Sequence, residues 1–447
     1  MTQMAQANDQ RKTQALHTPI IGPDYGSKWL ADFRQAAVNL FNRIGYPSAD
    51  DEQWRFINLS PITQTVFHPV AEPGKLPPSE LEKYSLSSKG FYELVFVDGV
   101  FSPALSSSHG LVGLIEFHSF KDAVGGHSER IGRYLGHELP TMSNGFAALN
   151  AAGFADGMFL YLPAGVVVDK PIHILWLTTA HRRPVVVFPR LLINACSQSQ
   201  ATVMQTFVSL NSDQPVFTNA ATEVISGRDS QLELIAVERE APHAFHITNE
   251  AVHVHAGANV QTLAFNSGAL LVRNNLNVHL AEPFAQATIN GLTISSGNQR
   301  VDNHTTLDHA SENCPSHELY KTLLAGNAAG VFRGKILVRP DAQKTDSKQT
   351  SKTMLLSDNA VMNSQPQLEI YANDVKCTHG STTGPIDDEQ LFYLQSRGVS
   401  EVQARSLLTY AFAGDVLNRV LNPAAREYLS QLTSDCLHQL HIDAVGS

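Results

Sequence analysis

Residues 227–263 read GRDSQLELIAVEREAPHAFHITNEAVHVHAGANVQTL, and in them a small polar turn twice precedes a short apolar run. Gly227-Arg228-Asp229-Ser230 leads into Gln231-Leu232-Glu233-Leu234, and Ala256-Gly257-Ala258-Asn259 leads into Val260-Gln261-Thr262-Leu263. The unit recurs upstream, where Ser197-Gln198-Ser199-Gln200 precedes Ala201-Thr202-Val203, and downstream, where Glu282-Pro283-Phe284-Ala285 precedes Gln286-Ala287-Thr288-Ile289. These four stand about 26–30 residues apart, and a fifth, Gly326-Asn327-Ala328-Ala329 before Gly330-Val331-Phe332, lies further on. From Met158 onward, helical periodicity is absent for about two hundred residues. Degenerate repeats of this length suit a parallel β-helix or another solenoid. One coil cannot bury its own apolar face, whereas stacked coils share a continuous core. A β-sandwich also gives many short strands, but the repeat favours the solenoid.

Outward from this array the pattern changes. Ser27 to Gly45 reads as an amphipathic helix, with Trp29, Phe33, Ala36, Leu40, Phe41 and Ile44 on one stripe, Ser27 as cap and Gly45 as stop. Val70 to Pro78 is linker-like. Phe91 to Val100 reads as a strand closing on an Asp98-Gly99 turn, and Ser128 to Gly153 as helix. After Gly384, Asp387 with Gln390 and Ser400 with Gln403 are capping signatures, Gly398 is a stop, and Pro423 opens a third helix. Leu391, Leu394, Val402, Leu408, Phe412, Leu417, Leu421, Leu429, Leu432 and Leu437 give these helices apolar faces, expected to pack on one another and to cap the last coil. The expected organisation is a mainly helical region over 1–90, a mixed connecting region over 91–157, a β-helix core over 158–384 and a helical domain over 385–447.

The 447 residues exceed one ordinary domain unless that domain is a repeat array or a large β architecture. A hydrophobic content of 43% with 17% charged residues describes a folded, soluble chain. The net charge of −10 argues against nucleic acid as partner, which needs a basic footprint. No run reaches the roughly 18–20 apolar residues of a membrane helix; the best, Gly157 to Val168, is short and broken by Pro163. Met1 to Thr18 lacks a signal peptide's apolar core and reads as a disordered lead-in. Cys196, Cys314, Cys377 and Cys436 lie far apart with no CxxC pair, which points to a reducing cytoplasm rather than a disulfide framework.

The most informative chemistry lies between Gly330 and Gly398. A strand-like half ends in Cys377-Thr378-His379-Gly380, and a capped helix starts soon after. Thiolate and imidazole are ligands for iron, zinc and iron–sulfur clusters, and two residues apart on an extended backbone they share one face. One Cys and one His cannot close a four-ligand site, so a second chain or a transient cargo is implied.

This segment resembles the SufB/SufD family of iron–sulfur cluster assembly proteins. The resemblance rests on Val331-Phe332-Arg333-Gly334-Lys335-Ile336, Ala342-Gln343-Lys344-Thr345-Asp346, Gln349, Leu355-Leu356, Pro366-Gln367-Leu368-Glu369-Ile370, Asn373-Asp374-Val375-Lys376-Cys377 with His379-Gly380, and Asp388-Glu389-Gln390-Leu391-Phe392-Tyr393. Trp54-Arg55-Phe56 after Asp50-Asp51-Glu52 is a weaker echo near the amino terminus. His379-Gly380-Ser381 stands where the SufB branch tends to carry His-Glu-Ala, which favours the SufD branch. The resemblance implies a right-handed parallel β-helix core flanked by helical regions, and a scaffold rather than an enzyme. It further implies pairing with a SufB-type paralogue or a second copy of the chain, and docking of a SufC-type ATPase on the helices after Gly384. Cys377 and His379 would contribute to a transient iron or iron–sulfur cluster at the interface, with iron entry as the step tied to this branch. A reduced flavin, and the choice between homodimer and heterodimer, stay open.

Other constellations read as structural. His304, His309, Cys314 and His317 include a zinc-like Cys314-Pro315-Ser316-His317 spacing, but no second CxxC or HxxxH, and turn or inter-coil hydrogen bonding is expected. His243, His246, His253 and His255 are expected on a polar outer face, the last two stacked rather than converging. No GxxxxGK[ST] loop, GxSxG elbow or metalloprotease helix occurs. Asp302 and Asp308 imitate the acid cluster of a carbohydrate-active β-helix enzyme but lack a basic partner nearby in sequence. That enzyme and a purely structural, self-associating solenoid are the two alternative readings.

Overall fold

The computed structural model describes residues 20–48, 50–126, 128–136, 144–210 and 213–445. The lead-in expected over Met1 to Thr18, and the middle of the helix expected over Ser128 to Gly153, lie outside the described residues. Strands alternate between two parallel sheets, as a two-sided solenoid of about eight turns requires. We number them in chain order. One sheet holds β1 (Met158–Leu162), β3 (Arg190–Ala195), β5 (Val216–Ser226), β7 (Phe245–Val254), β9 (Leu271–Leu280), β11 (Arg300–His309), β13 (Ala329–Val338) and β15 (Val361–Ile370). The other holds β2 (Ile172–Thr178), β4 (Gln200–Ser209), β6 (Gln231–Glu238), β8 (Asn259–Asn266), β10 (Gln286–Ser295), β12 (Pro315–Leu324), β14 (Asp346–Leu355) and β16 (Lys376–Gly384).

Six successive corners each hold one left-handed residue. Gln198, Asp229, Gly257, Phe284, Asn313 and Lys344 all have φ between 56° and 68°. Their amides donate in turn to the carbonyls of Arg228, Ala256, Pro283, Glu312, Gln343 and Asp374, each on the next coil. Four of these corners are repeat units seen in the sequence. The fifth unit, at Gly326, precedes β13 and therefore turns the opposite corner, which explains its odd spacing.

The lumen is apolar through the first coils, with Ile174, Ile193, Val203, Val224, Leu234, Val252 and Ile289 among its buried side chains. The two sheets are flanked outside by different helical layers. Against the odd-numbered sheet, Leu40, Phe41, Trp54 and Phe146 pack with Phe217, Phe245 and Leu271. Trp54 lies 4.1 Å from the buried Arg273 guanidinium, which also holds Asp302 at 2.6 Å. In the helix Lys28–Ile44, Ser27 takes the capping position without a side-chain cap bond, and Gly45 ends the helix at φ 67°.

The carboxy-terminal helices pack on one another as expected, with Leu391 and Leu394 against Ala404 and Leu408, but the expected cap on the last coil is corrected. They lie along the outer face of the even-numbered sheet and leave the last coil uncapped. Val416, Leu417, Val420, Leu429 and Leu432 share a core with Ile235, Leu263, Leu292 and Leu319. Apolar faces report how much a helix buries, not which surface it buries against. Lys321 donates to Phe412 O at 2.8 Å, and Glu233 accepts the amides of Leu421 and Asn422 at 2.6 and 3.0 Å. The capping box of Ser400 and Gln403 and the Asp387 cap both form, whereas Val402 and Leu421 are exposed.

The first coil is closed differently from the last. Tyr92–Val97 extends the even-numbered sheet in parallel, and the short strand Val100–Phe101 then pairs antiparallel to it. Glu116–Ser119 likewise runs antiparallel beside β1. At the other end β15 and β16 each pair on one side only.

The helix Gly145–Gly153 is pinned to the stack by a buried network. Arg190 pairs with Glu223 and donates to Asn150 at 2.9 Å, and Asn150 donates to Asn219 O at 2.7 Å. Glu223→Ala would strand the guanidinium without its carboxylate. A loss of about 3–5 kcal/mol is expected in urea unfolding, the range for breaking a buried pair from one side.

Candidate functional site at the open coil end

Parallel in-register stacking puts each inward side chain directly over its counterpart one coil earlier. One lumen column runs Ala201, Leu232, Val260, Ala287, Ser316, Ser347, Cys377, and its neighbour runs Val203, Leu234, Thr262, Ile289, Glu318, Gln349, His379. Both are mainly apolar in the early coils and polar in the last three. Cys377 and His379 therefore share the inner face of β16, as their spacing predicts. Cys377 is half-buried against the lumen core and His379 is exposed. Across the lumen, β15 turns Leu368 and Met362 inward, both packed on that core.

Beneath the thiol runs a chain of hydroxyls. Ser347 and Ser316 bond through their Oγ atoms at 2.7 Å, and Ser316 bonds His309 Nε2 at 3.0 Å. Burial pushes the Cys377 thiol above its ordinary range, and the Ser347 backbone amide partly offsets this. The resting group is thus a thiol, and a metal must displace its proton to gain a thiolate ligand. Beside the pair, Lys344 and Asp374 form an exposed ion pair at the corner.

The remaining candidates do not assemble. His309 points into the lumen, where burial lowers its pKa to about 4, while His304 lies on the outer face bonded to Asp302 at 3.0 Å. Cys314 is sealed, its thiol directed at the carbonyls of Glu282 and Glu312 at 3.4 Å each, and His317 is exposed on the outer face. His246 is buried between Glu240 and Thr248. His253 packs tilted against the His255 ring and edge-on to the His279 ring, at centroid distances of 4.7 and 5.1 Å, and His255 and His279 are each tied to a carboxylate. Asp302 is committed to Arg273 and Asp308 to Arg339 and His279, so they form no catalytic acid pair. Among the described residues, no group of three or more His, Cys, Asp or Glu side chains can hold a metal ion. Cys377 and His379 bring together a thiol and an imidazole, two groups of suitable softness for a metal.

Sequence reasoning gave no sign that Glu318, Gln349 and Gly334 stand together beneath the pair. Glu318 and Gln349 meet through register and Gly334 approaches Gln349 from the opposite sheet; the motif resemblance touched Gln349 and Gly334 without giving them a role.

Comparison with known proteins now has a structure to stand on. Residues 177–412 match the model described as SUF system FeS cluster assembly, SufBD core domain, and residues 23–174 match the SufBD protein N-terminal region. The chain belongs to the SufBD family. It is 30% identical over 431 residues to an iron–sulfur cluster assembly SufBD family protein of Synechocystis, covering 95% of each chain. It is 29% identical over 383 residues to the iron–sulfur cluster assembly protein SufD of Escherichia coli, covering 84% of this chain and 85% of that one. To the chloroplastic protein ABCI7 of Arabidopsis thaliana it is 26% identical over 417 residues, 90% and 86% of the two chains. The SufBD core match takes in β3 to β16 and so includes the pair at the coil end.

The raised thiol pKa fixes the direction of a pH test. Iodoacetamide should label Cys377 more slowly near neutral pH in the folded chain than in urea, with the rate climbing as pH passes the ordinary thiol range. Peptide mass spectrometry reads the four cysteines separately, and fast labelling of folded Cys377 at neutral pH would contradict the assignment.

Proposed function

We propose that this SufBD family member acts as a SufD-type scaffold, offering Cys377 and His379 at a subunit seam where iron or a nascent iron–sulfur cluster is held as cargo. The observation that carries the reading is the placement of a thiol and an imidazole on one face of an edge strand with no neighbour beyond it. An unpaired strand edge is a ready surface for another strand. A SufB-type paralogue, or a second copy of the chain, would pair along β15 and β16 and complete the coordination. Iron entry is the step assigned to this subunit. The four cysteines are free of disulfides, which suits a reducing cytoplasm, and among the described residues no helix is long and apolar enough to cross a membrane.

The test is anaerobic reconstitution with ferrous iron and sulfide, with and without the paralogue, read by iron content and visible absorption. Outer-shell changes at metal sites cost about 10–100-fold, so Cys377→Ala or His379→Ala should lose at least tenfold while folding and pairing stay intact. Unchanged reconstitution in both variants refutes the reading.

The helices after Gly384 are proposed to dock a SufC-type ATPase, whose cycle would shift the paired scaffold between two states. Support comes from exposed apolar side chains on the first two of these helices: Phe392, Tyr393, Val402, Leu407 and Tyr410. Deleting this region would strip a core from the even-numbered sheet, so surface substitutions are the sound test. Phe392→Ser with Tyr393→Ser should weaken ATPase binding about 30-fold or more, as for a hot spot of about 2 kcal/mol, and leave paralogue pairing unchanged. Undiminished co-purification would refute the docking surface.

A further inference from the structure

One coil below His379, and in register with it, sits Gln349. Its side chain is only 2% exposed. Nε2 donates to Glu318 Oε2 at 2.6 Å, whereas Oε1 is buried without a hydrogen-bond partner. A buried, unmet acceptor costs about 1–3 kcal/mol, so packing alone gives no reason to keep an amide here. Room for it is reserved by Gly334 on β13. A Cβ at that glycine would stand 2.2 Å from Gln349 Nε2 and 2.7 Å from its Cδ. Glu318 fixes which way the amide faces, because a carboxylate oxygen accepts from the NH2 group and turns the carbonyl oxygen away from itself.

We propose that Gln349 is a positioning residue for His379, its free Oε1 accepting a ring N–H of that histidine so that the other ring nitrogen is presented to iron. This deepens the scaffold reading and rests on it. A ligating imidazole ordinarily donates its second N–H to a fixed acceptor, which sets the tautomer and the ring plane. On an exposed edge strand, His379 has no packing to do that work. The neighbouring Cys377 column ends in Ser347, so each ligand stands on a polar rung and both rungs are buried. Glu318 and Gly334 act one step further back, by holding the amide.

The test loads cobalt(II) onto the full chain, alone and with its edge partner, and follows both affinity and absorption. Gln349→Met keeps length and volume but removes the acceptor. It should weaken cobalt binding about tenfold, retain the thiolate charge-transfer band of Cys377, and shift the ligand-field bands that report imidazole. Gln349→Glu combined with Glu318→Gln keeps an oxygen at position 349 and a hydrogen bond between the two side chains, now donated from position 318, and should restore binding. Gly334→Ala leaves every polar group but displaces the amide, and should reproduce the loss even if Gln349→Met folds poorly. The inference is overturned if His379→Ala loses cobalt while Gln349→Met and Gly334→Ala bind as the parent does. It is also overturned if Gln349→Met and the double variant Glu318→Gln, Gln349→Glu lose equally. If neither Cys377→Ala nor His379→Ala alters binding, the scaffold site itself fails, which is a separate result.

Discussion

Parallel strands stacked in register, one coil per turn, place chemistry in columns. A side chain's neighbours are then the residues about thirty positions before and after it, not those beside it in sequence. Lumen columns that are mainly apolar in the early coils make the stack rigid. The same columns turning polar over Ser316, Ser347 and Cys377, and over Glu318, Gln349 and His379, carry that rigidity to the exposed rung. A thiol and an imidazole separated by one residue would wander on a loop. On the final strand they are held by a ladder that continues through the whole body.

The flanking layers have a division of labour. The amino-terminal layer ties down the odd-numbered sheet through Trp54 over Arg273 and through the Arg190–Glu223 network. The carboxy-terminal helices seal the even-numbered sheet, fixed by Lys321 and Glu233. Both layers stop short of the last coil. Leaving β15 and β16 bare leaves a row of backbone groups on each strand without a strand partner.

Much of this was legible in the sequence, for reasons that differ by residue. Polar turns at Asp229 and Gly257 announce a left-handed corner, since small or polar residues tolerate it. Phe284 and Lys344 hold the same conformation without any local signal, because the ladder above and below imposes it. The unit at Gly326 was visible as a turn, but spacing could not tell one corner from the other. Cys377 and His379 were legible from a spacing of two, and the Ser400–Gln403 box from a spacing of three. Gln349, Glu318 and Gly334 were not: the first two meet through exact register between strands about thirty residues apart, and Gly334 approaches Gln349 from the opposite sheet. The helices after Gly384 showed their apolar faces but not their destination.

The two ends of the stack are not alike. Val100–Phe101 and Glu116–Ser119 run against the grain at the first coil, so a strand added there would continue an antiparallel ladder or reverse it. At β15 and β16 every strand keeps the direction of the whole stack. The two rims therefore present different hydrogen-bonding patterns to whatever meets them, and Cys377 and His379 stand at the rim that preserves the repeat.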